Sequence, residues 1–189
     1  MKKTLEIEVK IRCDNLDCLL EAGFNLKIAT LRHFEDNWLL DTTDKRLFER
    51  GAALRIRSVD SKGLVTYKGV VEETATSPLK VREEIESDID DPESMVRLFE
   101  RLGFYRSFRY QKYRTVYHLS IDGGEIEVVF DETPMGNFIE IEGDEPRVLR
   151  AMEAAGFTAT DVIRESYPEL QAARCEERGI PLEDLVFEQ

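Results

Sequence analysis

Cysteine is scarce. The 189 residues hold only Cys13, Cys18 and Cys175, with no C-x-x-C pair among them. So few, in odd number, do not suggest a disulfide framework and fit the reducing cytoplasm, where the chain is expected to reside. Histidine is scarcer still: His33 and His118 lack partners at zinc-ligand spacing and read as structural or surface residues. No apolar run approaches the length of a membrane span, and Lys2-Lys3 leads into alternating charges rather than a signal-peptide core. Net positive charge is absent too. At −13 the chain lacks the basic footprint that nucleic acid or an anionic membrane requires, so neither is an expected partner. There is no G-x-x-x-x-G-K-[ST], no G-x-S-x-G and no H-E-x-x-H, so phosphate binding of the P-loop type is excluded.

What is present is charge in order. Charged residues make up 34% of the chain, above the usual quarter, beside a 42% apolar fraction that suits a packed globular protein. Residues 4–12 read Thr-Leu-Glu-Ile-Glu-Val-Lys-Ile-Arg. Strict alternation predicts a strand with Leu5, Ile7, Val9 and Ile11 on one face and Glu6, Glu8, Lys10 and Arg12 on the other. Further strands are predicted near His33–Asp41, Ala52–Ser58, Gly63–Lys68, Val81–Ile89, Arg109–His118, Glu125–Asp131 and Asn137–Glu142, about eight in all. Helices are predicted at Leu16–Ala22 capped by Asp14 or Asn15, from Asp91-Pro92 to Leu102, and from Asp144 to Gly156. Each closes on Gly-Phe: Gly23-Phe24, Gly103-Phe104 and Gly156-Phe157. Glu72–Ser77 reads as a polar loop, and residues 167–189 as a tail with a helix over Pro168–Arg178.

The polar phase of these strands is ionic, and it comes in doublets. Arg55 and Arg57 share a face, as do Lys112 and Arg114; Arg82, Glu84 and Glu86 share another; Glu125, Glu127 and Asp131 share a phase, and Glu140 shares one with Glu142. Like charges two apart on a strand stand only about 7 Å from each other. Glu6/Glu8 and Glu140/Glu142 therefore repel unless a cation sits between them, and Mg²⁺ or Mn²⁺ prefers such oxygens. Arg55/Arg57 and Lys112/Arg114 pose the mirror problem, which a polyphosphate would answer. On this reading an empty site repels itself, so removing one base or one acid costs little stability. Closing the sheet into a barrel would turn one charged phase into the lumen. Paired carboxylates also suit glycosidases, but the basic doublets have no role there. Phe34, Trp38 and Tyr67 read as core or rim.

With these residues in hand, the chain resembles the CYTH family, the triphosphate tunnel metalloenzymes, which include class IV adenylyl cyclases, thiamine triphosphatases and tripolyphosphatases. Glu6-Ile7-Glu8-Val9-Lys10 is similar to the family's opening E-x-E-x-K strand, and the other motifs follow in family order: Leu54-Arg55-Ile56-Arg57, Thr66-Tyr67-Lys68-Gly69, Arg82-Glu83-Glu84-Ile85-Glu86, Lys112-Tyr113-Arg114, Phe130-Asp131-Glu132 and Phe138-Ile139-Glu140-Ile141-Glu142. The resemblance covers residues 4–142, or to about 165 with the third helix, and leaves the tail without a motif. It implies an α+β fold, an eight-stranded antiparallel barrel forming a tunnel with helices outside. It implies that Lys10, Arg55, Arg57, Lys68, Arg82, Lys112 and Arg114 grip phosphates. Glu6, Glu8, Asp131, Glu140 and Glu142 would hold one or two Mg²⁺ or Mn²⁺ ions. Lys10, Arg57, Lys112 and Glu84 would stand closest to the chemistry. A metal-dependent triphosphate hydrolase is the expected function. A cyclase that makes cyclic AMP and pyrophosphate from ATP, and a module that binds polyphosphate without turnover, are the alternatives. The substrate among the triphosphates and the oligomeric state, a homodimer included, stay open.

Overall fold

A computed structural model describes residues 4–60, 62–72 and 78–188. The tip of the predicted polar loop, 73–77, lies outside the described residues. Within them eight strands form: β1 (Thr4–Arg12), β2 (Leu26–Thr42), β3 (Ala53–Val59), β4 (Lys62–Glu72), β5 (Lys80–Ile89), β6 (Phe104–Ile121), β7 (Gly124–Thr133) and β8 (Gly136–Glu142). They close into an antiparallel barrel in the order β1-β5-β4-β3-β2-β6-β7-β8, the architecture the family resemblance implies. Among the described residues four α-helices accompany it: α1 (Asp17–Glu21), α2 (Pro92–Arg101), α3 (Glu145–Ala154) and α4 (Tyr167–Glu177). Among the described residues no helix is long and apolar enough to cross a bilayer.

The main apolar core lies outside the barrel wall. Val9 and Ile11 of β1, Ile126 and Val128 of β7, and Ile139 and Ile141 of β8 point away from the lumen and meet Leu19 of α1 and Val148, Ala151 and Met152 of α3. Burial of each such aliphatic side chain contributes about 1.5–3 kcal/mol. A second outer cluster joins Leu40, Leu54 and Ile56 to Val96 of α2. Because the side-chain period of a strand is two, committing the apolar phase to the helices leaves the ionic phase facing inward.

Helix ends follow the sequence signals closely. Asp91 accepts from the Ser94 amide at 3.0 Å with Pro92 in the first turn of α2, and Asp144 caps α3. Gly23, Gly103 and Gly156 all take positive φ, the conformation that lets the chain reverse after each helix. The first helix is shorter than expected. Leu16 stands at its cap position without a side-chain bond, and Asn15 instead accepts from the Asp17 amide at 2.9 Å. Several strands are longer than their patterns predict. β2 begins at Leu26 rather than His33, because register shifts at Ile28/Thr30 and Thr30/His33 break the alternation that would have announced it.

The tail becomes part of the barrel. Ile163 donates its amide to the Lys10 carbonyl at 2.8 Å, beside a bridge between Ile11 and Val162. β7 pairs with β6 only from Tyr113 onward, so residues 109–111 of β6 have a free edge. Leu185 takes it: its amide donates to Arg109, and its carbonyl accepts from Gln111. Tyr167 and Leu185 then pack with Phe108, Tyr110 and Phe138 into an apolar floor under one end of the charged lumen.

Candidate functional site

The ionic phases predicted for the lumen are buried. Glu6, Glu8, Lys10, Arg55, Arg82, Lys112, Asp131 and Glu140 all lie in the protein interior, with Lys112 only 1% and Asp131 0% exposed. Fixing so much charge away from water requires near-complete pairing. The expected doublets of like charge do not face each other unrelieved. Neighbouring strands interleave the signs instead.

One circuit of pairs runs around the β1-β8-β7-β6-β2-β3 side. Lys10 stands 3.5 Å from Glu140, which accepts from Arg114 at 2.6 Å. Arg114 also forks onto Asp131 at 2.6 and 2.7 Å, and Asp131 accepts from Lys112 at 2.7 Å. Lys112 lies 3.5 Å from Glu35, which pairs with Arg57 at 3.0 Å. On the opposite side Lys68 bridges Glu6 at 2.8 Å and Glu84 at 3.2 Å, while Arg55 reaches Glu84 at 3.8 Å, Glu86 at 3.6 Å and the hydroxyls of Thr66 and Tyr110. The expectation that an unliganded lumen repels itself is therefore corrected. Each of these bases already has a carboxylate, so removing one takes an ion-pair partner from a buried acid.

Asp131 is the most heavily used acid of the ion-pair circuit. Besides Lys112 and Arg114 it accepts a 2.7 Å bond from the Tyr167 hydroxyl. Burial, and then the Asp131 and Glu140 charges, push that phenol well above its ordinary value, so it stays a donor. Asp131 thus organises bases, with three donors already on the carboxylate that the resemblance offers as a metal ligand. Arg82 is likewise committed, donating to the carbonyls of Gly69 at 2.7 and 3.1 Å and of Gly51 at 3.3 Å.

Negative charge is in excess in one place. Glu8 and Glu142 are directly opposed on β1 and β8, and Glu127 is opposed to Glu142 across β7. Burial, followed by Glu6, Glu8 and Glu127, pushes the Glu142 carboxyl up to about 8. Glu8 is raised as well, by burial and then by Glu140 and Glu6. Its nearest base, Lys80, is 3.9 Å away. Around Arg114 and Lys10 the balance reverses: burial opposes the Glu140 charge, but Arg114 and Lys10 outweigh it and hold that carboxyl well below its usual range. Crowded hard oxygens short of cations are the donor set a small divalent ion takes. Among the described residues no three carboxylate, imidazole or thiol groups converge as a finished cage. A cavity of about 270 Å³ opens beside Glu142, lined also by His118, Glu125 and Glu127.

The structure thus gathers Glu6, Glu8, Lys10, Arg55, Arg57, Lys68, Glu84, Lys112, Arg114, Asp131, Glu140 and Glu142 around one lumen. Sequence reasoning missed Glu35, Asn37, Lys80 and Tyr167. In Glu35-Asp36-Asn37 both phases are polar, so no phase stood out. Lys80 falls one residue before the strand's predicted start, and Tyr167 lies in the tail that matches no motif.

The comparisons agree with this architecture. Residues 4–164 match the CYTH domain profile. A Methanocaldococcus jannaschii protein named "Putative adenylate cyclase" is 30% identical over 179 residues, spanning 88% of this chain and 98% of the relative. A solved Vibrio parahaemolyticus structure described in the same words is 20% identical, with a TM-score of 0.70 over 89% of this chain and 98% of that one. A Hippeastrum structure, 23% identical with a TM-score of 0.59 over 95% of this chain and 99% of that one, is described as an adenylyl cyclase candidate with a dominant triphosphatase activity. With its barrel, its ionic lumen and a profile match across most of its length, the chain belongs to the CYTH domain family.

Proposed function

We propose that the protein is a divalent-metal-dependent hydrolase of a triphosphate, acting inside the barrel. The observation that carries this reading is the polarity of the lumen: bases line one stretch, and a carboxylate excess at Glu8 and Glu142 adjoins it. A polyphosphate chelated to a hard cation has that same polarity. Glu6, Glu8, Glu140 and Glu142 would hold Mg²⁺ or Mn²⁺, which when bound supplies charge neutralisation and acidifies a coordinated water.

The chain's own residues do the rest. Arg55, Arg57, Lys112 and Arg114, with Lys10 and Lys68, bind and orient the phosphate oxygens and stabilise charge that grows in the transition state. The Nε of Arg55 is buried without a hydrogen-bond partner, as expected of a donor that awaits an acceptor. Glu84 and Asp131 serve as counter-ions that keep these bases in place. Water adds to the terminal phosphorus, the bridging P–O bond breaks, and the shortened polyphosphate leaves with the electron pair.

The name carried by the M. jannaschii relative favours a second reading, in which the ribose 3′-hydroxyl of ATP attacks and pyrophosphate leaves. The description of the Hippeastrum neighbour favours the first. A panel of tripolyphosphate, nucleoside triphosphates and thiamine triphosphate, run with Mg²⁺ and with Mn²⁺, separates them. Orthophosphate release supports the hydrolase, cyclic AMP with pyrophosphate supports the cyclase, and binding without turnover refutes both.

A further inference from the structure

Asp131 and Glu35 both hold Lys112, and they hold their bases differently. Asp131 is saturated by Lys112, Arg114 and Tyr167. Glu35 is not. It stands on β2 opposite Lys112 of β6 and is 1% exposed. One carboxylate oxygen meets Arg57 at 3.0 Å and His33 at 3.4 Å. The other, Oε2, lies 3.5 Å from Lys112 and has no hydrogen-bond partner. Arg55 Nε is orphaned in the same lumen. Buried polar atoms without partners are uncommon, and a donor and an acceptor left open in one chamber mark where contacts are exchanged.

The neighbouring bonds make that exchange feasible. Lys112 keeps its short bond to Asp131 if it leaves Glu35, and Arg57 keeps a 3.1 Å bond to Asn37. The backbone of Glu35 is held opposite Lys112 on β6, and β2 pairs with β3 from Asp36 onward, so the buried carboxylate is kept beside both bases. When a phosphate oxygen takes Arg57 and Lys112, the carboxylate stays behind it.

We propose that Glu35 is a positioning residue that stands in for the ligand's anion, holding Arg57 and Lys112 in their binding geometry while the lumen is empty and opposing the ligand once it enters. The inference rests on the reading of the lumen as a triphosphate site. It deepens that reading by making the affinity a contest between two anions for the same two bases. A retained like charge weakens binding and favours release, so neutralising it tightens binding even though it loosens the fold.

Calorimetric titration of inorganic tripolyphosphate in EDTA, at pH 7.5, tests this on the full-length protein. Glu35→Gln is expected to bind about fivefold tighter or more while melting lower. Glu35→Asp keeps the charge and is expected to stay within about twofold of the parent, also melting lower. Glu35→Met, neutral and with no amide to satisfy, must tighten binding as Glu35→Gln does, and it serves if the amide variant does not fold. Unchanged or weaker binding in the neutral variants, or Asp and Gln variants that shift together, overturns the role assigned to Glu35. Absence of uptake by the parent and the neutral variants alike, both in EDTA and in a repeat with excess Mg²⁺, overturns the triphosphate reading and this inference with it.

Discussion

Replacing Asp131 by asparagine separates two roles that the same carboxylate could have. Asp131 is 0% exposed and accepts from Lys112 at 2.7 Å, from Arg114 at 2.6 and 2.7 Å and from Tyr167 at 2.7 Å. Asparagine fills the same volume but carries no charge and turns an amide toward cations. Arg114 retains Glu140, while Lys112 is left with Glu35 at 3.5 Å. Breaking a buried ion pair from one side costs about 3–5 kcal/mol. That is a large share of the roughly 5–15 kcal/mol that holds a domain folded. The melting point should fall by on the order of 10 °C in a chain of this length. The assay is urea unfolding with EDTA present throughout. Were Asp131 a metal ligand with charge to spare, the metal-free variant would be as stable as the parent, and a deficit would emerge only when Mg²⁺ was added. A loss below about 1 kcal/mol in EDTA would therefore refute the counter-ion role.

Three further outcomes follow from the same network. Glu142 has its folded carboxyl raised to about 8 against 4.5 when unconstrained, so its contribution is present below pH 4.5 and is lost as pH climbs to about 8. Metal-free protein should lose on the order of 2 kcal/mol across that window, and Glu142→Gln should flatten the profile seen in unfolding at stepped pH. Tyr167→Phe deletes a hydrogen bond to a charged, buried acceptor and should cost about 1.5–3 kcal/mol by the same unfolding assay, with tripolyphosphate affinity reduced through the displaced Asp131. Arg57→Ala and Arg114→Ala should each lower the melting point, because Glu35 and Glu140 lose their shortest ion-pair partners, and each should shrink the thermal shift given by tripolyphosphate; the double variant should lose less affinity than the two singles added together.

Strand phase was the legible part of this protein. In β1, Leu5-Glu6-Ile7-Glu8-Val9-Lys10 alternates without a break, so the period alone assigns Glu6, Glu8 and Lys10 to one side. The outer clusters beside α1 and α3 then decide which side is the lumen. Pairing across strands was not legible, because it depends on register. That Glu35 lies opposite Lys112, or Asp131 opposite Arg114, is fixed by contacts between segments far apart in sequence. Reading each strand alone made Arg55/Arg57 and Lys112/Arg114 look like unrelieved repulsion, whereas the closed sheet sets an acid beside each. The bulged start of β2 hid its length, and the tail hid Tyr167, whose place under Lys10 and Lys112 follows from packing rather than pattern.

The central claim is that a triphosphate with its cation lies inside the barrel. A crystal structure with a non-hydrolysable triphosphate and Mn²⁺, using the anomalous signal to locate the metal, tests it most directly. The account predicts phosphate density against Arg55, Arg57, Lys112 and Arg114, and a manganese peak within reach of Glu8 and Glu142. Density confined to the outer cleft beside Trp38 and Arg109, with the lumen's ion pairs undisturbed, would contradict it.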